Sequence, residues 1–381
     1  MIILPARLRL PKRIPTSGLL SVLVITAILL GAVNVVAMQS VNNRVSELGA
    51  QLTALNKTLT TVTADLGRTQ GELSVVREAY YPLLVRDALG RVVTINFEPT
   101  RIVSGSPSIT ETLFALGLSN KIVGVDSYSD YPPELTRLEN QSAIQIVGGF
   151  TTLDVEKVAS LRPDLVVAYM PLQFRFIPAL ENLGLTVIAV KSGSISDVRE
   201  GIQLLAKVTS KVMEGTGLIK ELNSVTQNVS SKVSGVAKTK VLELSWMDPM
   251  YSTGNGTYLD EIIWVAGGSN IMVDKSGYMV TNPEEIVARN PSVIIFDTMH
   301  LPKTPAEISS YLRSLPGFEN VDAIKNNRLY ILTAQAANAI ERAGPRLPDA
   351  IKLLAYMLHP EIFGANLPTF LGDNYTSYLG R

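Results

Sequence analysis

A long stretch near the N-terminus contains no charged side chain. Between Gly18 and Met38 the only strongly polar residue is Asn34. About 20 apolar residues in a helix span the hydrocarbon core of a bilayer, so residues 18–38 are predicted to form a transmembrane anchor. Four basic residues precede it: Arg7, Arg9, Lys12 and Arg13. The positive-inside rule therefore places a basic tail, residues 1–17, in the cytoplasm and the rest of the chain outside.

A cleaved signal peptide is the alternative for the same stretch. The sequence Val-Val-Ala at 35–37 resembles a cleavage site. The apolar stretch is long for the hydrophobic region of a signal peptide, which favours an uncleaved anchor. In either case the bulk of the chain is exported. We expect a single-pass protein of the cell membrane whose main domain is extracytoplasmic.

Apolar side chains recur in steps of three and four residues after the anchor. The series, interrupted only at Thr69, comprises Val41, Val45, Leu48, Leu52, Leu55, Leu59, Val62, Leu66, Leu73 and Val76. A heptad pattern sustained over five heptads predicts a coiled-coil stalk over residues 39–79 and, through it, a homo-oligomer. The alternative is one amphipathic helix that packs on its own domain.

Short apolar strands alternate with amphipathic helices from Val85 onward. Seven strands are predicted: Arg101–Ser104, Ile122–Val125, Leu165–Ala168, Thr186–Val190, Lys240–Leu244, Val293–Phe296 and Leu329–Leu332. Strands separated by helices indicate parallel sheets and an α/β fold.

The two halves of this α/β region resemble each other. Two pairs of segments align: ETLFALGLSN (111–120) with EIIWVAGGSN (261–270), and VEKVASLRPDLVV (155–167) with PEEIVARNPSVII (283–295). We therefore predict two similar lobes, residues 85–195 and 237–381, joined by one long helix over residues 196–236. Two α/β lobes bind ligands where the ends of their strands face a shared crevice.

Composition limits the chemistry of these lobes. The chain has no cysteine and only two histidines, His300 and His359. Thiolate catalysis and cysteine-rich or multi-histidine metal centres are therefore excluded, and we expect neither metal-binding residues nor an intrinsic cofactor. The formal net charge is zero, which argues against a nucleic-acid partner. No G-x-S-x-G, H-E-x-x-H or Walker A sequence occurs, so we do not expect an enzyme.

Aromatic side chains follow the predicted strands at the positions where a crevice would lie. In DSYSDYPPE (126–134), Tyr128 stands near the Pro132-Pro133 step, which stiffens the loop and lowers the entropy lost when a ring binds a ligand. Arginines at the same crevice could bind carboxylates, amides or phosphate. The candidate ligand-binding residues are Tyr128, Phe150, Tyr169, Trp246, Tyr251, Tyr278, Arg342 and Arg346. For each ring the alternative is packing beneath a loop.

Several long motifs carry a family resemblance. RIVSGSPSITETLFALGLSNKIVGVDSYSDYPPE, VGGFTTLDVEKVASLRPDLVVA, GTYLDEIIWVAGGSN, NPEEIVARNPSVII and RAGPRLPDAIKLLAYMLHPEIFG occur in this order, from about Asp87 to Gly364. Together they resemble the helical-backbone class of ABC-transporter substrate-binding proteins, which serve cobalamin, iron-siderophore and haem uptake. The resemblance implies two lobes joined by one long helix and a ligand held between them. It also implies an ABC permease and its ATPase as partners.

The same resemblance implies two glutamates, one in each lobe, that dock on arginines of the permease. By motif these are Glu111 and Glu284. Each has a structural alternative. Ser108 and Glu111 have the spacing of a capping box, and the sequence from Asn282 to Glu285 is a favourable helix start in which Glu285 takes the capping-box position.

The cargo and the biological role each leave an alternative open. SYSDYPP is most similar to the cobalamin-binding branch, but the tryptophans expected near Phe150 and Tyr169 are absent. A corrinoid and an iron-siderophore or haem are therefore both retained as the metal chelate. The alternative role is a membrane-anchored ligand sensor or surface receptor that uses the same fold without transport. The presence of both glutamates favours transport.

Overall fold

The structure is a computed structural model that describes residues 16–78, 81–298, 301 and 303–380. It divides into two compact units, Met1–Ala79 and Tyr80–Arg381. We call the second unit the binding body. The basic tail up to residue 15 and His300 lie outside the described residues.

The described part of the first unit is one helix, α1 (Thr16–Glu78), which runs through both the predicted anchor and the predicted stalk. Its apolar part is long enough to cross a membrane. The heptad side chains from Val41 to Leu66 are 49–65% exposed. Whether they pair with a second chain stays a prediction.

The first lobe of the binding body contains a five-stranded parallel sheet, in the order β5-β4-β3-β8-β9. Val166 and Val167 of its central region are fully buried, as expected for a parallel sheet covered by helices on both faces. Two small antiparallel pairs, β1-β2 and β6-β7, lie outside this sheet. In chain order the elements are β1 (Leu83–Arg86), β2 (Val92–Ile95), β3 (Ile102–Ser104), α2 (Pro107–Ala115), β4 (Ile122–Val125), α3 (Pro133–Asn140), β5 (Gln145–Ile146), β6 (Gly148–Gly149), β7 (Thr152–Leu153), α4 (Val155–Ser160), β8 (Leu165–Tyr169), α5 (Ile177–Asn182) and β9 (Val187–Val190).

The segment between the lobes consists of two helices, α6 (Ile195–Val208) and α7 (Val212–Lys232), so the prediction of one long helix is wrong. The break lies at Ser210, whose φ of 57° is left-handed and ends the helical path. Helix α6 nevertheless belongs to both lobes. Its first half, with Val198 and Ile202, packs in the core of the second lobe, and Leu205 packs in the core of the first.

The second lobe repeats the parallel five-stranded sheet, in the order β13-β10-β15-β16-β17. All seven predicted strands are confirmed across the two lobes, with ends that differ by one residue at most. The elements are β10 (Thr239–Leu244), β11 (Trp246–Met247), β12 (Met250–Thr253), α8 (Tyr258–Val265), β13 (Gly268–Asn270), β14 (Tyr278–Thr281), α9 (Pro283–Arg289), β15 (Val293–Asp297), α10 (Pro305–Ser314), α11 (Asp322–Lys325), β16 (Leu329–Leu332), α12 (Ala334–Glu341), α13 (Leu347–Leu358), α14 (Pro360–Phe363) and β17 (Phe370–Leu371).

A second, antiparallel sheet of this lobe was not predicted. Its order is β11-β12-β14, and it extends from the carboxyl end of β10. It carries three of the predicted ligand-binding residues.

Candidate functional site

The small antiparallel sheet presents an exposed aromatic face. Tyr251 lies directly opposite Trp246 on one side and Val280 on the other, and Tyr278 lies opposite Thr253, two residues along from Tyr251. Residues opposite each other in antiparallel strands share a face, as do residues two apart in one strand. Trp246, Tyr251, Tyr278 and Val280 are 39–57% exposed, and we call them the aromatic platform.

The opposite face of this sheet fixes the platform to the lobe. Met247 and Met250 are buried and pack in a core cluster with Phe296. The platform rings therefore stand on a packed base and need little ordering before they contact a ligand.

Three predicted aromatic residues of the first lobe lie together on its strand-end loops. The ring of Tyr128 lies beside Gly149, and the rings of Phe150 and Tyr169 are 5.0 Å apart between centroids. We call Tyr128, Phe150 and Tyr169 the aromatic patch. Tyr128 is 51% exposed, whereas Tyr169 is half-buried and its hydroxyl lies 2.7 Å from Ser192 Oγ.

The loop that holds Tyr128 is fixed by a buried acid. The Asp126 carboxylate accepts hydrogen bonds from the Tyr128 backbone N–H at 2.9 Å and from Ser129 Oγ at 2.6 Å. Burial raises the pKa of Asp126, although these bonds and Arg342 oppose the shift. The loop that follows β4 is thus held by side-chain hydrogen bonds as well as by its prolines.

Electrostatic coupling relates the platform to the patch. Burial around the hydroxyl raises the pKa of Tyr278, although the residue as a whole is 57% exposed, and Glu341, Glu243 and Tyr169 raise it further. Tyr169 of the first lobe therefore lies within electrostatic reach of Tyr278 of the second.

The cavity that Tyr169 lines with Ser108 and Gly344 is only about 20 Å³, enough for a water molecule. A chelate would have to use the exposed rings rather than this cavity.

Both predicted arginines, which belong to the second lobe, form ion pairs with acids of the first lobe. Arg346 donates two hydrogen bonds to Glu111, from Nη2 to Oε1 at 2.6 Å and from Nε to Oε2 at 2.8 Å. Arg342 Nη1 lies 3.2 Å from Glu111 Oε1 and 2.5 Å from Asp130 Oδ1. We call Glu111, Asp130, Arg342 and Arg346 the interlobe ion cluster.

Three of the four residues of this cluster are buried, and the cluster positions the loop that carries Tyr128. Glu111, Arg342 and Arg346 are each at most 9% exposed. Burial alone would lower the pKa of Arg346, but the Glu111 carboxylate outweighs it and raises that pKa. Arg342 also donates to the Tyr128 carbonyl at 3.0 Å, so the ion cluster holds the backbone of the aromatic patch.

Comparison with known proteins identifies the family. The sequence profile of the periplasmic binding protein family matches residues 102–336, which is more than half of the chain. The chain belongs to the periplasmic binding protein family.

Relatives of this periplasmic binding protein agree with the assignment. An uncharacterized ABC transporter substrate-binding lipoprotein, YvrC of Bacillus subtilis, is 30% identical over 291 residues, which cover 74% of this chain and 87% of the relative. A vitamin B12-binding protein of Salmonella choleraesuis is 29% identical over 197 residues, 51% of this chain and 71% of the relative. The heme-binding protein RhuT of Roseiflexus has the same fold, with a TM-score of 0.59, 24% identity and coverage of 69% of this chain and 98% of RhuT.

Within this periplasmic binding protein, the two glutamates predicted to dock lie in different environments. Glu284 is exposed at the second position of α9, where Asn282 accepts a hydrogen bond from the Glu285 N–H at 2.9 Å. Glu111 is 2% exposed, and both of its carboxylate oxygens accept from arginines of the other lobe. A permease arginine cannot reach Glu111 in this conformation. The capping-box alternative at Ser108 is wrong, because Ser106 is the N-cap of α2 and its side chain accepts a hydrogen bond from the Ile109 N–H.

The internal repeat indicates that Glu156, and not Glu111, is the first-lobe acid that corresponds to Glu284. The alignment of 155–167 with 283–295 places Glu156 opposite Glu284. Both helices begin alike, since Asp154 accepts a hydrogen bond from the Lys157 N–H at 2.9 Å as Asn282 does from Glu285. Glu156 is exposed at the second position of α4. The alignment of the two halves could therefore have indicated Glu156 from the sequence alone, but the motif match selected Glu111 instead.

Proposed function

We propose that this protein is the membrane-anchored substrate-binding component of an ABC importer, and that its cargo is a metal chelate of the corrinoid, ferric-siderophore or haem class. The proposal is supported by the names of its relatives, one an ABC transporter substrate-binding lipoprotein and one a vitamin B12-binding protein. The N-terminal helix α1 supplies an apolar segment long enough for an anchor. With the basic residues before it, this gives a single-pass topology with the binding body outside.

One structural observation carries the cargo proposal. Six predicted aromatic residues are gathered into the platform and the patch, on strand-end segments of the two lobes. Flat aromatic rings suit a large, partly apolar macrocycle or chelate, since stacking and area burial both contribute. The arginines do not serve the cargo in this conformation, because Glu111 and Asp130 accept their hydrogen bonds.

The test is a titration of the full chain in detergent with cyanocobalamin, haemin and a ferric siderophore, followed by calorimetry. The chain has two tryptophans, Trp246 on the platform and Trp264 on α8. In the Trp264→Phe variant Trp246 is the only tryptophan, so quenching of its fluorescence reports a chelate bound near the platform. One-to-one binding of one chelate with quenching supports the proposal. No binding of any of the three overturns the cargo class.

Removal of the platform tryptophan should weaken cargo binding. We expect Trp246→Ala to raise the Kd about 10- to 100-fold, since large aromatic contacts at binding hot spots are worth roughly 1.4–2.7 kcal/mol. Trp264→Ala is the matched control, because Trp264 is 62% exposed on another element and lies under Lys238. Equal effects of the two substitutions on calorimetric affinity would exclude the platform as the cargo surface.

Docking on the permease is proposed for Glu156 and Glu284. Both are exposed acids at the second position of corresponding helices, one in each lobe. Exposed charge pairs of this kind contribute mainly to encounter and orientation, and a like charge at the contact is strongly unfavourable. The pair therefore replaces the pair Glu111 and Glu284 that the motif match suggested.

Charge reversal tests this docking pair. We expect the double variant Glu156→Arg and Glu284→Arg to reduce cargo uptake by cells at least tenfold while the cargo Kd stays within twofold. Glu134→Arg with Glu361→Arg is the matched control, since both acids are exposed at the second position of α3 and α14. Normal uptake by the Glu156 and Glu284 variant would exclude these two acids as the docking pair. Cargo binding by the wild-type protein without any uptake that depends on it would favour the sensor role.

A further inference from the structure

Three carboxylates meet inside the second lobe. Glu243 lies near the end of β10, Asp297 is the last residue of the neighbouring strand β15, and Glu341 is the last residue of α12. One carboxylate oxygen from each lies within 4.8 Å of the other two. Glu243 is 2% exposed and Asp297 is 1% exposed. We call these three residues the acid cluster.

Most oxygen atoms of the acid cluster are buried without a hydrogen-bond partner. This holds for both carboxylate oxygens of Asp297, for Oε1 of Glu243 and for Oε1 of Glu341. The remaining oxygen of Glu243 accepts from Thr253 Oγ1 at 3.0 Å. Among the ion pairs found in the described part of the chain, none involves these three acids.

Such an arrangement requires a compensating positive species. A buried carboxylate without a partner costs several kcal/mol, and three at this separation also repel one another. Buried charges in proteins are paired or coordinate metals. Asp297 is the decisive residue, since it is almost fully buried and the only groups that could donate to its oxygens are the carboxyls of Glu243 and Glu341, which can do so only when they carry a proton.

We propose that Glu243, Asp297 and Glu341 bind one divalent cation that prefers oxygen ligands, of the calcium class. Oxygen atoms bound to one Ca²⁺ at about 2.3–2.6 Å lie at most about 5 Å apart, which the 4.8 Å limit of the acid cluster satisfies. Three bidentate carboxylates would supply six oxygens, within the usual number for Ca²⁺. The cluster offers no imidazole and no thiolate, so zinc and copper are disfavoured. The sequence analysis expected no metal-binding residues because the chain has no cysteine and only two histidines. A site made of carboxylates requires neither residue type.

The position of the acid cluster indicates that a bound ion would stabilise the structure around the aromatic platform. Thr253, which bonds to Glu243, lies opposite Tyr278 in the small sheet, so the ion would fix the base of the aromatic platform. The Tyr258 hydroxyl donates to the carbonyls of Ile340 and Glu341 at the end of α12. Arg342 of the interlobe ion cluster is the next residue. One ion would therefore connect the platform to the segment that holds the two lobes together.

The test measures metal content and does not depend on cargo. The full chain is purified in detergent, treated with EDTA, dialysed against CaCl₂, MnCl₂, MgCl₂ or ZnCl₂ and analysed by elemental mass spectrometry and thermal unfolding. We expect about one calcium or manganese per chain and a higher Tm with that ion than with EDTA. Less than about 0.1 ion per chain for all four metals, with no shift of Tm, would overturn the site in favour of protons shared among the acids.

Substitutions locate the ion. Asp297→Asn keeps the shape of the side chain and should weaken calcium binding at least tenfold, and Glu341→Gln provides a second variant if the first does not fold. Asp274→Asn is the control, since Asp274 is an exposed acid of the same lobe that pairs with Arg289 at 2.7 Å. An unchanged ion content in both folded cluster variants would place the ion elsewhere.

Discussion

Replacing Glu111 with glutamine is expected to lower the free energy of unfolding of the binding body by about 3–5 kcal/mol. Glu111 accepts from Arg346 through both oxygens, at 2.6 and 2.8 Å, and it also contacts Arg342. The substitution removes the carboxylate that Arg346 and Arg342 share and leaves Asp130 as the partner of Arg342, while both guanidinium groups are at most 9% exposed. Removing one partner of a buried ion pair costs far more than the intact pair contributes.

Chemical unfolding of the full chain at neutral pH measures this loss. Glu284→Gln is the control, since Glu284 is exposed and surface substitutions usually change stability by less than about 0.5 kcal/mol. A loss below about 1 kcal/mol for Glu111→Gln would show that water compensates the arginines and that the lobes are held by other contacts.

A double-mutant cycle assigns the loss to the pair. Glu111→Leu combined with Arg346→Met should lose about 1–3 kcal/mol less than the sum of the two single substitutions, because an apolar pair no longer contains a buried, unpaired charge. Arg342 keeps Asp130 as its partner in this double variant. Strict additivity would mean that Glu111 and Arg346 act on stability independently, which their two hydrogen bonds argue against.

Local sequence patterns were sufficient for the scaffold. The predicted strands are short and largely apolar runs. Val293–Phe296, three of whose four residues are β-branched, is buried throughout, as expected for a parallel sheet covered on both faces. The linking segment shows the limit. Ser210 takes a left-handed conformation that its residue type does not demand, so the pattern of apolar residues predicted one helix where two occur.

The residues of the candidate site depend on contacts that local patterns do not encode. Glu111 and Arg346 are 235 positions apart, and the acid cluster gathers one residue from each of three segments. The antiparallel sheet of the platform was missed because β11 has only two residues, and Pro249 separates it from β12. Glu156 differs from these, since the alignment of the two halves already placed it opposite Glu284.

In the presence of EDTA, the stability of the protein should fall as the pH rises from about 4.5 to about 8. Burial raises the pKa of Glu243 from 4.5 to about 8, and the neighbouring Glu341 adds to the shift. Burial also raises the pKa of Asp297 and of Glu341. Thr253 bonds to the acid cluster through its hydroxyl. Burial, and after it Glu341, raise the pKa of Tyr258 and of Tyr278, so these two hydroxyls stay protonated in this pH range.

The sign follows from proton binding. Between pH 4.5 and 8 the folded protein keeps a proton on Glu243 that the unfolded chain has lost, so unfolding releases protons and becomes more favourable as pH rises. Each such group contributes up to roughly 1.4 kcal/mol per pH unit within its window. Acids whose pKa is lowered, such as Glu285 beside Lys275, act in the opposite direction but only below about pH 4.5.

Chemical unfolding at several pH values gives the slope, and Glu243→Gln should flatten it. The variant is needed because burial also raises the pKa of Asp126 in the first lobe, which acts with the same sign. An unchanged slope in Glu243→Gln would remove Glu243 as its source.

Added calcium distinguishes the two ways in which the negative charge of the acid cluster can be compensated, namely shared protons and a bound divalent cation. A bound divalent cation stabilises the ionised carboxylates, so added CaCl₂ should raise stability most at pH 8 and thereby reduce the fall. Protons and the ion compete for the same oxygens, since ligating carboxylates must be deprotonated. A fall that is identical in EDTA and in CaCl₂ would identify the cluster as a proton-sharing group. A fall that calcium removes in the wild type but not in Asp297→Asn would assign the ion to these three residues.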